Sequence, residues 1–272
     1  MKKIKLQEQI DLVNQNPYNI TLIFDPHPKV QMAAVKRKAA VIKLIRNPAE
    51  SVQKAAVRSV PGLIQYINNP TEAVQLIAVK KNGNTIEHIK DPSEEVQLEA
   101  IESSYYAFRY IKNPTDAVKR AAIQRSSYDF SIIENPSEEL TLLAVYRNGN
   151  LIKDIENPSE AVKLTAVQSV ATAIKYIKDP SEELQLEAVN QNGLVIEEIK
   201  CPTEKVKLAA IKQNPRAIEY IKDPSEEIQL IAINSNAELI LLIKNTTESV
   251  QLEAIKNNSQ ILKYITDYNI IK

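Results

Sequence analysis

Ten prolines, Pro26, Pro48, Pro70, Pro92, Pro114, Pro136, Pro158, Pro180, Pro202 and Pro224, follow one another at intervals of 22 residues. No single globular core imposes that spacing, so the chain must consist of a repeated unit that packs against its own copies. An eleventh unit opens at Thr246 without the proline. A degenerate one covers residues 4–25, where "NQNPYNITLI" aligns with "KQNPRAIEYI" at 212–221. The expected organisation is a degenerate capping repeat over 1–25, eleven 22-residue repeats over 26–267 and a short tail over 268–272.

One unit, "DPSEELQLEAVNQNGLVIEEIK" at 179–200, carries the local signals of the others. The Asp or Asn before the proline suits a helix N-cap, because its side chain accepts an orphan N–H and the proline after it gives up no hydrogen bond. The Glu two residues after the proline is then expected at N3, in a capping box at the positive end of the helix dipole. A helix of about eleven residues should follow. It should stop near Asn82-Gly83, Asn148-Gly149, Asn192-Gly193 or Asn214-Pro215, in a left-handed or extended residue. A second segment of about two turns completes the unit.

With the proline counted as place zero, place four is Val, Leu or Ile, place eight is Ala in all eleven units, and place nine is Val or Ile. Places 16 and 19 carry Ile, Leu or Phe. These separations put the apolar residues on one face of each segment. The recurrent alanine (Ala100, Ala122, Ala144 and its equivalents) reads as a close approach between neighbouring helices. Segments this short are not stable alone, so burial must come from stacking one unit on the next. The expected fold is all-α, an α-solenoid (superhelix) of about twelve 22-residue two-helix repeats.

The Asp-Pro start and the alternation of a long with a very short helix resemble the short-unit α-helical repeats, above all the leucine-rich repeat variant and, more loosely, HEAT-like solenoids. The unit is still more similar to repeats in bacterial and phage proteins. The resemblance covers 4–267. It implies a binding scaffold, and in its sharpest form a phage-encoded inhibitor that masks a host antiviral-defence protein in the host cytoplasm. Because the unit is shorter than a HEAT or tetratricopeptide repeat, no binding-groove residues carry over.

In such an array the consensus specifies the fold, so function is expected in the residues that depart from it. "YYAFRY" (105–110) is the densest departure. Phe108 falls on core place 16, as does Phe130 one unit later, and Tyr110 on place 18, where Tyr66, Tyr176, Tyr220 and Tyr264 recur. These are repeat structure. Tyr105, Tyr106 and Arg109 replace small or polar residues, and Arg120, Arg125, Tyr128, Tyr146 and Arg147 extend the deviation. Tyr106 with Tyr128, and Arg125 with Arg147, occupy equivalent places and are expected to be neighbours. Tyr and Arg are enriched in binding hot spots, which makes these eight residues the candidate partner-binding patch. Drift on exposed positions is the competing explanation.

Charge supplies a second candidate. Residues 1–69 hold eleven Lys plus Arg against four Asp plus Glu, a balance of +7, and the remainder carries −7, so that the zero net charge hides a dipole. Lys29, Lys36, Arg37, Lys38, Lys43, Arg46, Lys54 and Arg58 could form a basic surface for nucleic acid, a nucleotide or an acidic partner. A solvated terminal face would look the same. At the other end Tyr268, Ile270 and Ile271 are expected to fold back over the last repeat or to join a homodimer contact there.

Catalysis is not expected. The Glu pairs (Glu94-Glu95, Glu182-Glu183) open helices, and four glycines leave no phosphate-cradling loop. Cys201, the single cysteine, stands where other units have Asp or Asn. His27 and His88 lack partners at ligand spacing. No cofactor is implied. No apolar run approaches the roughly 18 residues of a membrane span, so the reading is cytoplasmic, with no membrane partner.

Overall fold

The computed structural model describes residues 5–267, so the expectations for Tyr268, Ile270 and Ile271 lie outside the described residues. Twelve α-helices of ten residues each recur at the sequence period: α1 (Leu6–Gln15), α2 (Pro28–Arg37), α3 (Glu50–Ser59), α4 (Glu72–Lys81), α5 (Glu94–Ser103), α6 (Asp116–Arg125), α7 (Glu138–Arg147), α8 (Glu160–Ser169), α9 (Glu182–Gln191), α10 (Glu204–Gln213), α11 (Glu226–Ser235) and α12 (Glu248–Asn257). The second segment is a 3₁₀ helix, six residues long in most repeats, as in Gly193–Glu198. In the last repeat it is the short α13 (Ile261–Asp267). No strand occurs among the described residues. Contacts divide the chain into two compact units, 1–136 and 137–272, each a stack of such repeats.

The helix starts two residues later than the sequence suggested. The N-cap is the residue after the proline: Ser93, Thr115, Ser181 and Thr203 accept the N–H of Val96, Val118, Leu184 and Val206. The Asp or Asn before the proline is not a cap. In eight repeats it takes a φ near +50°, as in Asp91 (48°) and Asn113 (52°), a left-handed backbone that Asp and Asn tolerate better than other side-chain-bearing residues. The proline then leads the chain into the helix.

The Glu expected at N3 sits at N1 and reaches the neighbouring repeat. Glu50 accepts from Thr71 Oγ1 (3.2 Å), Glu72 from Ser93, Glu94 from Thr115 (2.5 Å) and Glu138 from Ser159 (2.7 Å). The hydroxyls of Ser93, Thr115 and Ser159 thus serve their own helix and the helix before it. Only in the first repeat does the acid reach back to a cap, with the Lys5 N–H donating to Glu8. A second ladder follows at place five. Gln31, Gln53, Gln75, Gln97, Gln185 and Gln229 donate from Nε2 to the carbonyl of their own proline at 2.8 to 2.9 Å, pinning the chain where it enters the helix.

The Asn-Gly stops fall where expected and take the extended conformation of the two expected. No glycine has a positive φ. Asn82, Asn148 and Asn192 are extended C-caps, and their Oδ1 caps the 3₁₀ segment by accepting from the residue two places on. The glycine after them is there for room: a Cβ on Gly193 would lie 2.4 Å from the Ala210 carbonyl oxygen of the next repeat, and one on Gly83 2.2 Å from that of Ala100.

The core follows the pattern read from the sequence. Ala34, Ala56, Ala78, Ala100, Ala122, Ala144, Ala166, Ala188, Ala210, Ala232 and Ala254 are all fully buried, with the place-four residues beside them. Place 16 is buried from Ile42 to Ile240, and Phe108 and Phe130 fill it as expected. Place 15 is a further core position, taken by Val41, Leu63, Ala107, Leu151, Ala173, Val195 and Leu239.

Gly193→Ala is expected to lower unfolding stability by about 1–3 kcal/mol through overpacking. At Gly62 nothing lies within 4 Å of an added Cβ. Gly62→Ala should therefore be neutral or gain up to about 1 kcal/mol by restricting the unfolded chain. Urea unfolding of the two variants beside the parent checks the contrast.

Candidate protein-interaction site

Each α-helix runs from an opening edge, where the proline and N-cap lie, to a turn edge, from which the 3₁₀ segment returns. A ten-residue helix spans about 15 Å, so side chains at places 10 to 14 and those at places 18 to 22 belong to different edges, while Arg109, at place 17, reaches back to the Tyr106 ring. This geometry sorts the candidate residues.

Tyr105 and Tyr106 lie on the turn edge of the first unit. Place 13, which Tyr105 occupies, is the close-approach place held by glycine at Gly83, Gly149 and Gly193. Elsewhere Ala39, Pro61, Ser127 and Pro215 hold it, each opening a regular six-residue segment; with Tyr105 the segment differs. The 3₁₀ segment there is shortened to Ala107–Tyr110, and Tyr105 and Tyr106 sit in a turn after α5 that the Ala107 N–H closes onto the Ser104 carbonyl at 3.0 Å, with Tyr106 at φ −77°, ψ −14°. The turn puts their rings together at 3.9 Å between centroids, 36° apart. Arg109 then lies over the Tyr106 ring with Cζ 5.4 Å from its centroid, a cation–π contact. The Tyr105 phenol is raised above its ordinary pKa by its hydrogen bond with Tyr106, then by desolvation and Tyr106's charge, with Arg109 opposing. Tyr105 and Tyr106 remain 49 % and 43 % exposed, so the stack is presented to solvent.

The other candidates separate from this stack. Tyr128 is 75 % exposed and has no ring contact among the described residues, while the Tyr106 ring is engaged by Tyr105 and Arg109. Arg125 ties two repeats together: Nη2 donates to the Glu102 carbonyl at 2.9 Å and Nη1 lies 3.8 Å from the Glu102 carboxylate. Ser103 and Gln191 fill the same place and make the same kind of bond, to the carbonyls of Lys80 and Val167. Arg125 is thus a cap on the preceding helix rather than a free recognition residue. Arg120 is half-buried at the place Leu98 fills one repeat earlier. Tyr146 and Arg147, both exposed in the last turn of α7, belong to the second unit. Tyr110 is 40 % exposed on the opening edge, in line with its repeat equivalents.

Within reach of the Arg109 charge lies a residue that the sequence did not single out. Asp129 occupies core place 15, is only 5 % exposed, and its Oδ2 has no hydrogen-bond partner. Desolvation pushes its carboxyl above the ordinary carboxylate range, and the charge of Arg109 draws it part of the way back. A carboxylate where other repeats have Val, Leu, Ala, Ile or Thr was visible as a break in the register, but place 15 had not been recognised as core.

The eight candidate basic residues do not form one surface. Lys36, Arg37, Lys38 and Arg58 lie on the turn edge, whereas Lys29, Lys43 and Arg46 lie toward the opening edge. Lys54 is bound to Glu50 at 2.6 Å, which with Thr71 holds the Glu50 carboxyl below its usual range. Lys38 sits 4.9 Å from the centre of the Tyr18 ring.

Clefts of 590 to 620 Å³ occur at Glu87–Asn113, Ile174–Cys201 and Ile218–Asn245, each walled by a place-18 side chain such as Tyr110, Tyr176 or Tyr220. Their recurrence at equivalent places makes them products of the repeat rather than one dedicated ligand pocket. Cys201 is exposed two residues before the N-cap Thr203, so it does not sit at the helix terminus itself. Among the described residues no group of three or more His, Cys, Asp or Glu is placed to hold a metal ion, and no helix is long and apolar enough to cross a membrane. No protein-family model, curated protein or solved structure matches the chain. What is established is the repeated helical array itself.

Asp129→Ala should stabilise the protein at neutral pH by about 1–3 kcal/mol, the usual range for a buried polar group lacking its hydrogen bond. The sign with pH follows from the raised carboxyl. Below the ordinary carboxylate range both states are protonated and the wild type carries no penalty; as pH rises, the unfolded chain ionises first and the penalty grows. The variant's advantage should therefore shrink on acidification, as read by urea midpoints at neutral and acidic pH.

Proposed function

We propose that this protein is a non-enzymatic scaffold that binds another protein through the turn edge of its first unit. The observation that carries the reading is the Tyr105–Tyr106–Arg109 stack, exposed at a place where close packing between repeats favours small residues. Such a stack departs from the repeat at the expense of a regular 3₁₀ segment. Rigid aromatic rings with a guanidinium beside them provide a large contact area with few rotors to freeze, the composition of interface hot spots. Binding would act by occlusion, with no bond made or broken. The narrower form, a phage-encoded inhibitor masking a host defence protein, draws only on the resemblance of the repeat.

The test is affinity capture from a bacterial lysate with tagged wild-type protein and with Tyr105, Tyr106, Arg109 and Tyr128 all changed to alanine. The wild type should retain a stoichiometric protein through a high-salt wash, and the variant should lose it with helicity unchanged, each hot-spot residue contributing about 2 kcal/mol. A partner captured equally by both proteins would remove the patch from the interface.

A further inference from the structure

On the reading that the turn edge is the docking face, we infer that its partner presents an acidic polypeptide segment, held by a cationic strip that continues from the tyrosine stack along the same edge of the first unit. The last turns of α2, α3 and α4 and the residue after α2 bring Lys36, Arg37, Lys38, Arg58 and Lys81 to this edge, all exposed. Successive α-helices from α2 to α6 pack on one another, so these side chains and the tyrosines follow in a row. Other charges in the row cancel: Lys80 pairs with Glu99 (3.6 Å) and Arg125 with Glu102. Among the described residues none of the five remaining cations forms an ion pair.

Helix C-termini favour cations through the backbone dipole, and that alone could account for one or two of them. The second unit shows that the fold does not require them. At the corresponding places α8, α9 and α11 carry Gln168 and Ser169, Asn190 and Gln191, Asn234 and Ser235, with the same helix length and the same extended C-caps, while α7, α10 and α12 keep one cation each, Arg147, Lys212 and Lys256, against the two of α2 and of α4. The cationic strip therefore answers to something outside the fold.

The strip fits a polypeptide better than a nucleic acid. Binding of a single strand relies on open aromatic faces on which bases stack. Here Tyr105 and Tyr106 are stacked on each other, Arg109 lies over Tyr106, and Lys38 lies over Tyr18, which leaves Tyr128 as a single open ring rather than a row of them. Val60, 48 % exposed between the cations, adds an apolar step that a phosphodiester backbone would not use. Alternating acidic and apolar side chains match cations interleaved with Val60 and the tyrosine rings.

The probe is a fluorescent random copolymer of Glu and Tyr, read by anisotropy at low and at physiological ionic strength, with fluorescent oligo(dT) as comparator. The full chain is used as wild type, as Lys36→Ser/Arg37→Ser/Arg58→Ser/Lys81→Ser, and as an opening-edge control, Lys43→Ser/Arg46→Ser/Lys90→Ser/Lys112→Ser, all checked for helicity. The copolymer should bind the wild type and the control alike, and the turn-edge variant at least about tenfold more weakly. No copolymer binding, equal loss in the control, or tighter binding of oligo(dT) would each overturn the inference, the last in favour of a nucleic-acid edge. The same turn-edge variant in the lysate capture separates the two proposals. A partner lost with the tyrosines but kept without the cations leaves the scaffold reading standing and overturns this one, whereas a partner indifferent to both removes both.

Discussion

A ten-residue helix followed by one or two turns of 3₁₀ helix cannot hold its shape in water, because too few backbone bonds form per residue fixed and too little apolar surface is covered. Stacking of each repeat on the next supplies what is missing, and the point of closest approach is the alanine at place eight, fully buried in every repeat from Ala34 to Ala254. Around it the polar groups are shared between neighbours. An N-cap hydroxyl such as Thr115 serves its own helix and Glu94 of the repeat before. The glycine at Gly193 leaves room for the Ala210 carbonyl. Stability of this kind is a sum over neighbours, and a departure at one repeat is felt mainly by the repeats it touches.

That locality lets the candidate site exist. Tyr105 at a close-approach place shortens one 3₁₀ segment and leaves its neighbours six residues long. Asp129 places a carboxyl in the apolar row one repeat later, where Arg109 from the shortened segment offsets part of its desolvation. The two departures from the consensus are therefore joined through one arginine, which also lies over Tyr106. Sites that depart from local rules at a cost to stability are where function is expected.

The proline spacing, the alanine and the apolar places made the array legible, since each is fixed by burial and burial leaves a period in the sequence. Phe108, Phe130 and Tyr110 were rightly assigned to the repeat for the same reason. What escaped was set by backbone conformation and by contacts between repeats. Asp91 and Asn113 look like caps but are left-handed residues ahead of the proline, and the true caps, Ser93 and Thr115, look like ordinary polar positions. Arg125 looked like a recognition residue until its bond to the Glu102 carbonyl was visible. The basic cluster of the first repeats, continuous in sequence, is divided by the ten-residue helices that carry it to opposite edges.

The central claim is that the turn edge of the first unit is the face a partner covers. Hydrogen exchange of the full chain, alone and saturated with a captured partner, tests it without altering a residue. The account predicts slowed exchange in 102–110 and 124–130, around Tyr106 and Tyr128, with the opening-edge segments unchanged. Protection confined to the opening edge, or to the second unit alone, would contradict it.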